Sequence, residues 1–520
     1  MLLALGTRAA AGSQEAAGPG PGSRDRADPR VVRAVLDQVV RDGEPVLKVA
    51  TVVAWASLDR DVPLRHTGLL LDVLTDPAVR PRFEQIWFPP DVESAFTRDD
   101  VAAWVTGLFG HRPHTALSFV IRLAEAADRT GDTGLHRVAL DEAWRLLVPR
   151  PSLAPRVLPL AARLLDHPDD CVRLKAVHLL AILAPLSAPY ADRLAALIDD
   201  PGTDRISWIE GTVGDFARWA LVRLDDPRAL PGLVEALWAP YREQYARGYA
   251  TGDPRGPEIH EVLAPLREHA DVLLPVLRRE VRLQYERDGD HGPLTGVLVR
   301  VAEAWGPAAL PALPELMPLL KDTRYSLSAV DALVAMGPGA ASTAPAVRDA
   351  VVLDHAANHR RIAWAAWRIG GGDDDAVLRL LGEAVEQEPG PAYGPVSLLA
   401  DFGSAAAAHG ERVRHIMDTA EGLTAVEAAV ALAAITGDPR PGLAVLEQAV
   451  TDAAGDDDGY GFLLWTLRAF LRIGATTPGA RHVLHQVRAR DRRLSAHSDY
   501  RAVLDDEEAR SLIEAVLALP

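Results

Sequence analysis

The side chains best suited to hold a metal come in two pairs. His355 and His359 stand four apart beside Asp354, and His482 and His485 stand three apart. On a helix either pair shares a face and could supply two ligands. Neither pair has an identifiable third ligand, no HExxH occurs, and 16 histidines spread over 520 residues produce such pairs by chance. The stretch ERDGDHG at 286–292 lacks the spacing and closing Glu of a calcium loop. The triplets 373–375 and 456–458, all Asp, stand where helices are expected to begin, and carboxylates there cap free N–H groups. Cys171 is the one cysteine, which excludes an internal disulfide and a Cys-based zinc site. Two aspartates precede it, so the local field opposes a reactive thiolate, and a half-buried small side chain is expected. GxSxG and Walker signatures are absent, and the early GPGPGS follows no strand. No catalytic residue, cofactor site or metal site is assigned.

Composition narrows the field further. With 55 basic and 72 acidic residues the net charge is −17, which opposes general affinity for nucleic-acid phosphates. No run of 18 apolar residues occurs, so no membrane span is expected. Lysine occurs only at positions 48, 175 and 321, and Arg supplies nearly every other cation; with abundant Ala, Gly and Pro this suggests a GC-rich bacterial genome. The N-terminus has too short an apolar segment and no basic flank for a signal peptide. Residues 1–28 are expected to form a disordered tail, and a cytoplasmic location follows as the simplest expectation.

The elements that would position any site are read from glycines. Gly306, Gly337, Gly370, Gly403, Gly437 and Gly474 follow one another at intervals of 31, 33, 33, 34 and 37 residues. Periods of this size mark repeat architectures, and two helices of about 12 residues plus turns fill each one. RRIAWAAWRIG and FARWALVRLDD carry apolar residues at helical spacing, with no hairpin signal. Each marker glycine suits the left-handed residue that ends a helix.

Two stretches, ARLLDHPDDCVRLKAVHLLAILAP and GDFARWALVRLDDPRALPGLVEALW, resemble HEAT repeats, including the short variety named for bacterial phycobilin-lyase-like proteins. The resemblance implies an all-α fold, a right-handed α-solenoid of stacked antiparallel helix pairs. It covers residues 155–480 or so. It also implies an Asp–Arg ladder between neighbouring repeats, matched by Asp170 with Arg173 and Asp215 with Arg218, with Arg361 a candidate third member. Residues 151–520 form the expected solenoid, with an insertion at about 238–260. Residues 29–150 read as helix pairs without the glycine marker, either degenerate repeats or a cap. Some relatives of this fold are enzymes. Deoxyhypusine hydroxylases need repeated His-Glu pairs, and only His260-Glu261 matches. Alkylpurine DNA glycosylases use Trp, Asp and Arg in a basic cleft; Trp364, Asp331 and Arg368 supply the types, against an unfavourable net charge. No motif marks a chromophore site of the phycobilin-lyase kind.

Counting back from the markers, with Asp225 standing in for glycine in the earliest repeat, separates core from surface. The position five before the marker is always small or apolar, and the position one before it is mostly so, with Thr436 the exception. Positions six and two before it form the pairs Trp219/Arg223, Arg300/Ala304, Asp331/Ala335, Trp364/Arg368, Ser397/Asp401, Ala431/Ile435 and Arg468/Arg472. Four apart, they share one face, and their chemistry varies, so repeat packing does not dictate it. The expected partner-binding residues are Trp219, Arg223, Arg300, Trp364, Arg368, Arg468 and Arg472, types enriched at interface hot spots. Trp367 faces elsewhere and is expected in the core. In the insertion, Tyr241, Tyr245 and Tyr249 recur with arginines between them and form a second candidate contact surface. The expectation is a non-enzymatic scaffold or adaptor, without cofactor, that binds another protein along its inner face. Its acidic balance suits a basic segment. The alternatives are a HEAT-like enzyme such as a DNA alkylpurine glycosylase, or a chromophore- or small-molecule-handling protein.

Overall fold

The computed structural model describes residues 29–86, 97–204, 211–239, 256–353, 355–370, 373–387, 393–456 and 459–520. The expected tail, residues 1–28, and residues 240–255 of the expected insertion lie outside the described residues. Among the described residues every regular element is a helix and there is no strand. The fold is the expected all-α solenoid, in two compact units. The first comprises residues 1–193 and 199–207, and the second 194–198 and 208–520.

In the first unit helices pair with their sequence neighbours, as Pro113–Thr130 does with Thr133–Leu147 and Ala154–Arg163 with Asp170–Ile182. Three successive joints use one device. Asp132 precedes the helix Thr133–Leu147, accepts a hydrogen bond from the backbone N–H of Leu135, and receives both Nη atoms of Arg98 at 2.6 and 3.0 Å. Asp169 caps Asp170–Ile182 through the N–H of Val172 and receives Arg137 at 2.6 Å. Asp200 accepts from the N–H of Gly202 and from Arg173 at 2.9 and 3.1 Å. Each aspartate satisfies an otherwise free N–H and a guanidinium from an earlier helix that is not its immediate predecessor in the chain.

The expected ladder therefore exists, but it differs in place and membership. Arg173 also contacts Asp170 in its own helix, yet its partner across the joint is Asp200. Asp215 instead closes a capping box with Thr212, and Arg218 donates to the carbonyls of Ala229 and Pro231. The ladder begins in the N-terminal region that lacks the glycine marker. Arg361 does bridge to a neighbouring helix, donating to Asp331 at 2.6 Å.

The second unit contains a row of helices that pack each on the next: Ile259–Leu263, Pro293–Trp305, Ser326–Met336, Ala356–Arg368, Tyr393–Leu399, Gly422–Thr436, Tyr460–Ile473 and Arg501–Leu517. These carry the marker positions, and a second set lies between them in sequence. Of the residues five before the marker, Ala220, Val301, Ala332, Ala365, Leu432 and Ala469 are buried, and Leu398 is partly buried against the core. The markers adopt positive φ, as expected, in two conformations. Gly437 is left-handed, with φ 69° and ψ 3°. Gly337 has φ 68° but ψ −149°, because Pro338 follows it and excludes the helical ψ range at the preceding residue. A tight 3₁₀ turn then starts at once, Gly337–Thr343. Asp225, the expected stand-in, has φ 54° and is the one non-glycine with positive φ among the described residues.

Arg98 tests the importance of the ladder. It is 1% exposed; burial opposes its charge, and the bonds to Asp132 and Asp99 more than offset this and raise its pKa. Asp132→Ala removes its bidentate partner and a helix cap together, and is expected to destabilise the fold by about 3 kcal/mol in chemical denaturation followed by circular dichroism. Asp169→Ala breaks a pair that is 28% and 25% exposed and is expected to cost about 1 kcal/mol.

Candidate partner-binding site

The variable strip lies along the helix row of the second unit. Its charged heads are cross-linked from helix to helix. Trp364 donates its indole N–H to Asp401 at 2.9 Å, and Arg368 lies 3.9 Å from the same carboxylate. Arg472 donates to both oxygens of Glu427 at 2.8 and 3.1 Å, and Trp465 donates to one of them at 2.7 Å. Glu427 is buried and fully engaged. Arg300 lies 3.2 Å from the imidazole of His260. Arg468 pairs with Glu508 in the last helix. Arg368, Arg468 and Arg472 still expose 55%, 54% and 41% of their side chains. Beside them a groove of about 470 Å³ is lined by Ala400, Asp401, Val430, Ala433, Arg472 and Ile473.

Two members of the expected strip are not open. Trp219 is buried and Arg223 is only 12% exposed, because the last helix of the same unit covers them. Tyr500 sets its ring edge-on to Trp219, with centroids 5.5 Å apart, and donates its hydroxyl to Glu261 at 2.5 Å. Glu507 receives Arg223 at 2.5 Å, and that guanidinium lies 5.9 Å from the Trp219 ring centroid. These contacts bridge 239 and 284 residues of chain. Ala431 and Ile435 are also buried, so the strip is interrupted there.

The residues that make this contact escaped the sequence reading. Their one signal is DDEE at 505–508, four acids in mid-helix, which cannot all share one solvated face. Each has its own destination. Asp505 accepts from Ser495 at 2.6 Å and meets His497 at 2.8 Å. Asp506, buried, takes Arg493 and Arg510, both at 3.0 Å. Glu507 takes Arg223, and Glu508 takes Arg468.

The remaining candidates fall into place. Tyr241, Tyr245 and Tyr249 lie outside the described residues. Trp367 stacks on Phe402 at 4.0 Å and packs against the core as expected. His355, His359, His482 and His485 are exposed, and among the described residues no three His, Cys, Asp or Glu side chains are grouped to hold a metal. In 286–292, Asp288 pairs with Arg287 and Asp290 with Arg324. Asp373 caps its helix as expected, accepting from the N–H of Asp375 and Ala376. Of the three residues suggestive of a glycosylase, Asp331 is engaged by Arg361, and Trp364 by Asp401.

The first unit holds a buried polar cluster. Cys171 donates its S–H to Asp204 at 3.0 Å, and burial together with that carboxylate pushes the thiol pKa far up. It is more deeply buried than expected and is held protonated, which removes it as a nucleophile. Lys175 pairs with Asp141 at 2.6 Å and lies 3.9 Å from Asp204.

No family model matches the chain, and no curated protein matches it. Solved structures do resemble it. The Kap95:Nup1 complex is 12% identical with a TM-score of 0.48, covering 94% of this chain and 69% of that one. Importin beta in a polyethylene glycol condition is 11% identical with a TM-score of 0.45, covering 99% and 83%. Kap121p is 12% identical with a TM-score of 0.39, covering 95% and 68%. Likeness at this level carries nothing about what the chain binds.

Beside the cluster, Glu142 gives a pH dependence. Its side chain is 4% exposed, and burial pushes its pKa from 4.5 up to about 7 against the pull of Arg145. The folded state then holds a proton that the unfolded chain releases. The associated stability is fully present below about pH 4.5 and is lost as pH rises through about 7. Glu142→Gln is expected to exceed wild type in denaturation free energy by on the order of 1–3 kcal/mol at about pH 8, with little difference near pH 5.

Proposed function

We propose that this chain is a non-enzymatic, cytoplasmic scaffold that binds a protein partner along the inner strip of its second unit. The observation that carries this reading is the strip itself. Arg368, Arg468 and Arg472 are held by neighbouring carboxylates yet keep 41–55% of their side chains exposed, beside a groove of about 470 Å³ and the indole of Trp364. Fixed, half-exposed Trp and Arg side chains are what hot spots are made of, because little conformational freedom is left to lose on binding.

The partner's charge needs separate treatment at two scales. The net charge of −17 steers basic partners toward the protein as a whole. The exposed heads on the strip are guanidinium groups, so contact there favours carboxylates. No single helix among the described residues is long and apolar enough to cross a membrane.

The test compares affinity capture from source-cell extract by wild type and by Trp364→Ala/Arg368→Asp. The double variant is expected to lose at least one protein that wild type retains by about tenfold or more, while its circular dichroism stays unchanged. An identical captured set from a folded variant removes the strip as the binding surface.

A further inference from the structure

We infer that the Trp219–Arg223–Glu261 shelf is a docking site for a partner segment that presents a tyrosine and, about two helical turns later, a glutamate. The chain's own Tyr500 and Glu507 occupy it in this structure. The inference rests on the inner-strip reading and adds to it the partner's chemistry and its competitor.

The shelf specifies its occupant atom by atom. Glu261 accepts a hydroxyl proton from Tyr500 at 2.5 Å, so a phenylalanine would leave that carboxylate without its donor. Trp219 receives an aromatic edge at 5.5 Å. Arg223 is fixed over Trp219 and demands an anion, supplied by Glu507 at 2.5 Å. Tyr500 and Glu507 are seven residues apart, the spacing that brings two side chains to one helix face.

The way the last helix is anchored separates this contact from the fold. Ile513 and Val516 are fixed in the apolar core with residues from Val377 onward. Asp506 is satisfied by Arg493 and Arg510 near the end of the chain. Tyr500 and Glu507 reach back across more than 200 residues to the shelf, with Arg493 and Arg501 as charged neighbours of the same groups. Their removal takes away the ring and the anion that fill the shelf and leaves the core packing of Ile513 and Val516 in place.

The test uses the full chain and a fluorescein-labelled synthetic peptide spanning residues 497–512. Fluorescence anisotropy is expected to show about tenfold tighter binding to Tyr500→Ala/Glu507→Ala than to wild type. Adding Arg223→Ala to that variant is expected to abolish the gain. A peptide with Phe for the tyrosine and Gln for the second-turn glutamate is expected to bind about tenfold more weakly. Glu507→Gln, which keeps the side-chain shape, gives a smaller gain and serves if the double variant does not fold. Equal affinity for closed and opened proteins, or absence of binding to a folded opened protein, overturns the inference. So does a doubling of mass of the opened protein in light scattering, which would make a second copy the occupant. If these fail while Trp364→Ala/Arg368→Asp still alters the captured set, the shelf is lost and the strip remains.

Discussion

A pair of short helices cannot bury its apolar stripe alone, and every other feature of this structure answers that constraint. Each pair in the row covers its neighbour, so the interior of the row is satisfied by repetition. The ends are not. Solenoids commonly finish with polar capping helices, but the second unit instead brings its last helix back to its first long helix, Val213–Arg223. Trp219, on that helix, is covered by Tyr500.

The charged residues serve the same constraint. Stacked helices place many N-termini in partly buried joints, and free N–H groups there need acceptors. Asp132, Asp169 and Asp200 supply them and simultaneously hold an arginine of an earlier helix, beyond the immediate predecessor. Because each aspartate satisfies two partners, the joint fixes both the start of one helix and its register against another. In the second unit some guanidinium–carboxylate pairs lie on the strip, where Arg368, Arg468 and Arg472 keep 41–55% of their side chains in solvent and Arg223 keeps 12%. The same pairing is structural in one unit and presents a surface in the other.

Much of the architecture was legible because it is local. A marker glycine needs positive φ wherever it occurs, and Asp225 could be given that role by aligning its helix with those that the glycines end. Core positions followed from the same count. The ladder in the first unit was read in part: Arg173 was named, but with Asp170 of its own helix rather than with Asp200, and Asp132 and Asp169, which announce themselves as helix caps, were not named. Trp219 and Arg223 were grouped on one helix face, but their covering could not be read. It depends on Tyr500 and Glu507, more than 270 residues away from them, and no periodicity links the two. DDEE was the available clue: four consecutive acids in a helix point in different directions and therefore need different partners.

The energetics of the closing contact also distinguish it from the core. Burial lowers the pKa of Arg223 and raises that of Glu507, in each case against the attraction of the other. Desolvation thus outweighs the pairing on both sides, and a buried ion pair of this kind adds little net stability compared with an apolar contact of the same shape. Tyr500 and Glu261 are likewise joined through a polar bond whose pieces hydrate well when separated. An end sealed for stability alone would be apolar, as the Ile513–Val516 side of the same helix is. The charged side instead gives geometric selectivity with a modest barrier to separation, which is what replacement by another chain would require.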